Sequence, residues 1–144
     1  MHADYITMAR FISQTYLPKK SLPITAKEIA KEFNARLDDF NIRFRTSIKK
    51  VAETNIRDMI NYARTNQLVK HGEIIAGPTG YYISDDKEDI LKQIESLEGR
   101  ISAIQNAIRG MRKRVPQYSS KRGIKGAKVE YNNKPIEGDL FDSL

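Results

Sequence analysis

Side chains able to attack a substrate, ligate a metal or shuttle a proton are scarce in this chain. It has no Cys and only two His, His2 and His71, far apart in sequence. Without Cys there is no disulfide, thiolate zinc site, iron–sulfur cluster or thiol nucleophile. Two distant His make a poor start for a metal centre. Asp38-Asp39 and Asp85-Asp86 are adjacent carboxylates. The first pair lies in a polar stretch that reads as a loop. The second opens a long helical pattern, where negative charge stabilises the helix N-terminus. Neither reads as a metal site. There is no Gly-rich phosphate loop with Lys and Ser/Thr, and no nucleophile elbow. No enzymatic activity, cofactor or metal is expected.

The chemistry that remains is ionic. The 144 residues hold 25 Lys and Arg against 18 Asp and Glu, a formal net charge of +7. Such a surplus points to a polyanionic partner, nucleic acid first. It is unevenly spread. Residues 1–84 carry 13 basic and 8 acidic side chains, residues 85–114 carry 7 and 6, and residues 115–144 carry 5 and 4. Nine basic and no acidic residues lie between Gly99 and Val129, whereas four acidic residues and one Lys follow from Glu130 onward. The longest apolar run is a handful of residues, too short to span a membrane. The start, Met1-His2-Ala3-Asp4, lacks the basic and apolar stretches of a secretory signal. A soluble cytoplasmic protein is expected.

Hydrophobic spacing along the chain predicts the elements that position these charges. Ile6, Ala9, Ile12 (with Phe11) and Tyr16 recur at helical spacing and predict a helix over 4–17, closed by Pro18. Ser21 to Ile24 reads as a short extended link. Thr25 and Glu28 form a capping box that opens a helix with Ala26, Ile29, Ala30 and Phe33 on its apolar face. Residues 34–45 are polar and carry no assignable period. A long helical pattern covers about 46–66, with Ile48, Val51, Ala52, Ile56, Met59, Ile60 and Ala63. It reads as one helix, or as two broken near Thr54, a suitable N-cap. Beyond Asn66 the period becomes strand-like. Ile74-Ile75-Ala76 and Tyr81-Tyr82-Ile83 flank Gly77-Pro78-Thr79-Gly80, the pattern of a β-hairpin. The expected fold is therefore mainly α with a small β-hairpin. Its units are a domain over 1–84, a long helix over 85–114, and a flexible basic-then-acidic tail over 115–144 with too little apolar content to offset the entropy of ordering.

The order helix, helix, helix, hairpin resembles the winged-helix family of helix-turn-helix proteins. The resemblance rests on Ile24–Phe33, on Ile56–Arg64 and on the Gly-Pro-Thr-Gly-Tyr-Tyr-Ile run at 77–83, and it spans roughly residues 4–84. It is nearest to small winged-helix proteins of phage and prophage replication or regulatory modules, in which a similar wing leads directly into a long C-terminal helix. One departure is the longer stretch, 34–53, before the presumed recognition helix.

The resemblance implies sequence-dependent binding of double-stranded DNA, with a recognition helix in the major groove and the wing at an adjacent groove or phosphate row. With Ile56, Met59, Ile60 and Ala63 turned inward, the outward face carries Thr54, Asn55, Arg57, Asp58, Asn61, Arg64 and Thr65. Arg pairs with guanine edges and Asn with adenine edges. Arg45, Lys49 and Lys50 before the helix, and Lys70 and His71 before the wing, suit phosphates. Thr79 at the wing tip completes the expected DNA-binding set. The competing class is an adaptor that recruits or inhibits a host replication or transcription protein.

The long C-terminal helix carries a heptad. Ile90, Ile94, Leu97, Ile101, Ile104, Ile108 and Met111 alternate spacings of four and three, the pattern of a coiled-coil seam. With Ile94, Ile101 and Ile108 at a, the d positions are Ile90, Leu97, Ile104 and Met111. Ile at a with Leu at the central d fits a parallel dimer, and the additional Ile at d pulls toward other associations. The flanking Gln93, Glu98, Arg100 and Gln105 give little pairing code. Gly99 and Gly110 each cost about 1 kcal/mol of helix stability. The alternative is packing on the chain's own first helix. A stripe along about 30 Å of helix exceeds what one small domain covers, so a homodimer is expected. Finally, Glu137-Gly138-Asp139-Leu140-Phe141 resembles the short peptide by which replication proteins bind the bacterial sliding clamp. Asp139, Leu140 and Phe141 match that motif. Glu137 replaces its Gln, and Gly138 replaces its aliphatic residue.

Overall fold

The structure, a computed structural model, describes residues 1–119. It is mainly helical, with one two-stranded antiparallel hairpin and a long C-terminal helix. Among the described residues five α-helices run α1 (Ala3–Phe11), α2 (Ala26–Ala35), α3 (Leu37–Phe44), α4 (Glu53–Thr65) and α5 (Lys87–Arg114). The strands β1 (Glu73–Gly77) and β2 (Gly80–Ser84) stand between α4 and α5. The chain divides into two compact units, Met1–Ile94 and Glu95–Leu144.

In the first unit, α4 packs against both α1 and α2. Its inner face is the expected one: Ile56, Met59, Ile60 and Ala63 are buried. They meet Met8, Ile12, Leu17, Ile29 and Ile74 in one core. Each large apolar side chain buried this way contributes about 1.5–3 kcal/mol. Beside this core Phe11, Phe33, Phe40 and Phe44 form an aromatic cluster, with Phe11 edge-on to the other three. Edge-to-face contact suits the ring quadrupole.

Three expectations about the helices are corrected. The first helix does not run regularly to Tyr16. After Phe11 it widens into a π-helical turn over Ile12–Tyr16 and then tightens into a 3₁₀ turn over Leu17–Lys19, which contains Pro18. The Leu17 N–H donates to the Ile12 carbonyl, five residues back, so Leu17 lies beneath Ile12 and is buried. The pattern over 46–66 is not one helix, nor is it broken at Thr54. Residues 46–52 are non-helical, and α4 begins at Glu53 after an extended Ala52. Residues 37–44, without a clear period in sequence, form α3, so Asp38 and Asp39 lie in a helical first turn rather than a loop.

The hairpin follows expectation. Ile74 pairs with Ile83, Ile75 with Tyr82, and Gly77 with Gly80 across a Pro78-Thr79 turn. A single antiparallel bridge then ties β2 to the link before α2. The Ile24 N–H donates to the Tyr81 carbonyl at 3.0 Å, and the Tyr81 N–H donates back at 2.8 Å. Gly80 makes this approach feasible. Its φ is +130°, and a Cβ there would run into the Ile24 carbonyl. Thr25 caps α2 as expected, its hydroxyl accepting the Glu28 N–H at 3.2 Å.

Candidate nucleic-acid interface

The segment leading into α4 is held by two asparagines. Asn34 Nδ2 donates to the Val51 carbonyl and its Oδ1 accepts the Val51 N–H, both at 2.8 Å. Asn41 repeats the device one heptad later. Its Nδ2 donates to the Ile48 carbonyl at 2.9 Å, and its Oδ1 accepts the Ile48 N–H at 3.1 Å and the Thr46 hydroxyl at 2.7 Å. A side-chain amide carries the donor and acceptor of a peptide group, so each asparagine stands in for a neighbouring strand. Ile48 and Val51 point into the core. Lys49 and Lys50, between them, are exposed, as is Arg45, which ends α3 in the left-handed conformation at φ 55°.

On α4, Thr54, Arg57, Asp58, Asn61 and Thr65 are exposed. Their spacing of three and four residues puts them on one helical stripe. Arg57 Nη2 lies 3.3 Å from Glu53 Oε2, with both side chains about half exposed. Such a surface pair is worth only about 0.2–1 kcal/mol, so Arg57 is readily transferred to a stronger acceptor. Asp58 on the same stripe can accept from a cytosine amino group. Lys70 and His71 are exposed in the loop before β1, and Thr79 is exposed at the hairpin turn.

Two expected readers have other roles. Asn55 is half-buried, and its Oδ1 accepts the Ala52 N–H at 2.8 Å, which fixes the entry to α4. Arg64 turns toward the hairpin. Its Nε donates to the Ile74 carbonyl at 3.0 Å and its Nη2 donates to Gln93 Oε1 at 3.5 Å. Gln93 Oε1 also accepts the Ala76 N–H. Gln93, which the heptad places beside a solvent-facing seam, is 8% exposed and joins α4, β1 and the first turns of α5. The i+3 spacing that puts Arg64 in line with Asn61 cannot reveal a long side chain bending back to a strand carbonyl. Asn34, Asn41 and Gln93 are the positioning residues that sequence reading missed. The spacing of seven between the two asparagines was the only visible signal.

Elsewhere in this unit Phe11, Phe33, Phe40 and Phe44 floor an open groove of about 540 Å³, rimmed by Arg36, Asp39 and Arg43. At its edge the Tyr16 hydroxyl donates to Glu32 Oε2, and Lys20 Nζ lies 3.1 Å from the same oxygen. The Tyr16 hydrogen bond, supported by Lys20, holds the Glu32 carboxyl below its usual range. Burial, followed by the bond to Glu32, pushes the Tyr16 phenol up. Among the described residues no group of three or more His, Asp or Glu is placed to hold a metal ion, and no helix is long and apolar enough to cross a membrane.

Just before α5, Asp86 Oδ1 accepts the Glu88 N–H at 2.9 Å, so this carboxylate serves the helix N-terminus. Of the seam residues, Ile90 and Leu97 are half-buried. Ile94, Ile101, Ile104, Ile108 and Met111 are 45, 53, 52, 43 and 70% exposed. Asp139, Leu140 and Phe141, with the basic and acidic parts of the tail beyond Ser119, lie outside the described residues. No known protein family, curated protein or solved structure matches this chain.

Proposed function

We propose that this chain is a winged-helix protein that binds double-stranded DNA in a sequence-dependent way and pairs with a second copy through α5. The observation that carries the reading is the α4 stripe Thr54, Arg57, Asn61 and Thr65, preceded by the exposed Lys49-Lys50 on a segment pinned by Asn34 and Asn41. A helix offering Arg and Asn on one exposed face, with cations at its N-terminal approach, combines base-edge donors with phosphate contacts. The Ile24–Tyr81 bridge supports the assignment of the hairpin as a wing, since it ties that hairpin to the link that opens α2, the helix packed on α4. DNA binding of this kind fits the replication initiation or transcriptional regulation of a phage or prophage, in the cytoplasm of a bacterial host.

Selection from a pool of randomised duplexes tests the reading. A recurrent sequence should emerge with the full chain, and Arg57→Ala and Asn61→Ala should each relax the base preference at one position. A pool that stays random after repeated rounds removes sequence-dependent binding and leaves the adaptor reading.

A further inference from the structure

The exposed seam of α5 lies along a helix whose charge is segregated. From Asp85 to Glu98 there are six acidic and two basic residues, whereas from Gly99 to Arg114 there are five basic and none acidic. Parallel pairing of two such helices sets the two basic C-terminal halves at one level and the two acidic N-terminal halves at another. Glu98 and Arg112 at e and Arg100 and Arg114 at g flank the seam, and the remaining charges from Ile90 onward lie farther out. Like charges held together across a seam oppose association. Antiparallel pairing brings each acidic half against a basic half and also opposes the two helix dipoles.

The exposed apolar residues fit the antiparallel arrangement. In antiparallel coiled coils an a residue faces a d residue of the other helix. Centring the pair between Ser102 and Ala103 matches Ile94 with Met111, Leu97 with Ile108, and Ile101 with Ile104, each pair occurring twice. Six apolar layers result, and all their side chains except the half-buried Leu97 stand exposed in the single chain. We infer that α5 pairs antiparallel with α5 of a second copy, through the Ile94–Met111 seam. This inference rests on the dimer reading above and replaces the parallel geometry that Ile at a and Leu at d favour on their own.

Single cysteines test the geometry directly, since the chain has none of its own. Ile94→Cys and Met111→Cys full-length proteins are co-refolded as a mixture and also separately, then equilibrated in a glutathione buffer. Disulfide dimers should be at least tenfold more abundant in the mixture than in either protein alone. Leu97→Cys with Ile108→Cys should repeat that outcome one layer inward, which covers a failure of the first pair to fold. Disulfide dimers forming equally in each separate sample would overturn the antiparallel inference and leave the dimer standing. A monomer by light scattering of the unsubstituted protein, across the concentrations used, would overturn both.

Discussion

Two asparagines do for residues 46–52 what a neighbouring strand does in a sheet, and their loss should be felt in stability. Asn34→Ala strips the side-chain partners from both the N–H and the carbonyl of Val51 while that residue stays buried. An orphaned buried polar group costs about 1–3 kcal/mol. Urea unfolding of Asn34→Ala should show a loss in that range, and an unchanged midpoint would contradict the pinning role. Gly80→Ala meets both a forbidden φ and the Ile24 carbonyl. It should destabilise by about 1–3 kcal/mol, with the hairpin amides losing hydrogen-exchange protection first. Glu32 sets a pH dependence. Its carboxyl titrates lower in the folded chain than in the unfolded one, so its contribution is complete above the ordinary carboxylate range and is lost as pH falls through the folded value. The side chain is half exposed, which limits the effect to under about 1 kcal/mol. The stability gap between wild type and Glu32→Gln should close on acidification. A gap that is independent of pH would count against the Tyr16–Glu32–Lys20 cluster.

At the scale of elements, Arg64 and Arg57 sit two turns apart on α4 and should behave oppositely. Arg64→Ala removes charge-assisted bonds to the Ile74 carbonyl and Gln93, which should cost about 1.5–3 kcal/mol. Arg57→Ala loses only an exposed ion pair and should stay within about 0.5 kcal/mol of wild type. Thermal unfolding of the two variants decides this, and equal stability would undo the distinction between clamp and reader. The same helix shows where sequence was legible. The inner face of α4, the Thr25 cap, the hairpin turn and the extent of α5 all follow local rules of period, capping and turn chemistry. Ile48 and Val51, three residues apart, imitate a helical stripe. Yet they are anchors of an extended segment, fixed by side chains that are 7 and 17 residues distant along the chain, respectively. The π-helical turn escaped for a related reason, because a spacing of five between Ile12 and Leu17 lies outside the helical template. α3 was obscured by its charges, which face solvent and leave only Leu37 and Phe40 buried.

For the whole molecule, the +7 surplus becomes a distribution with a geometry. Arg45, Lys49 and Lys50 precede α4 and Lys70 follows it, while α5 carries its own acidic and basic halves. If Lys49 and Lys50 contact phosphates, duplex affinity should fall steeply with salt, and replacing both with Ala should lower the slope of log K against log salt by about 2. An unchanged slope would move the phosphate contacts elsewhere. The central claim is that the outer stripe of α4 reads base pairs. Its most direct test is a fluorescence-anisotropy titration of the wild-type chain and an Arg57→Ala/Asn61→Ala variant. Each is titrated against a selected duplex and a scrambled one at fixed salt. The account predicts that the variant, folded as stably as wild type, loses about 2–6 kcal/mol of its preference for the selected duplex while keeping its affinity for the scrambled one. Equal discrimination by the two proteins would contradict it.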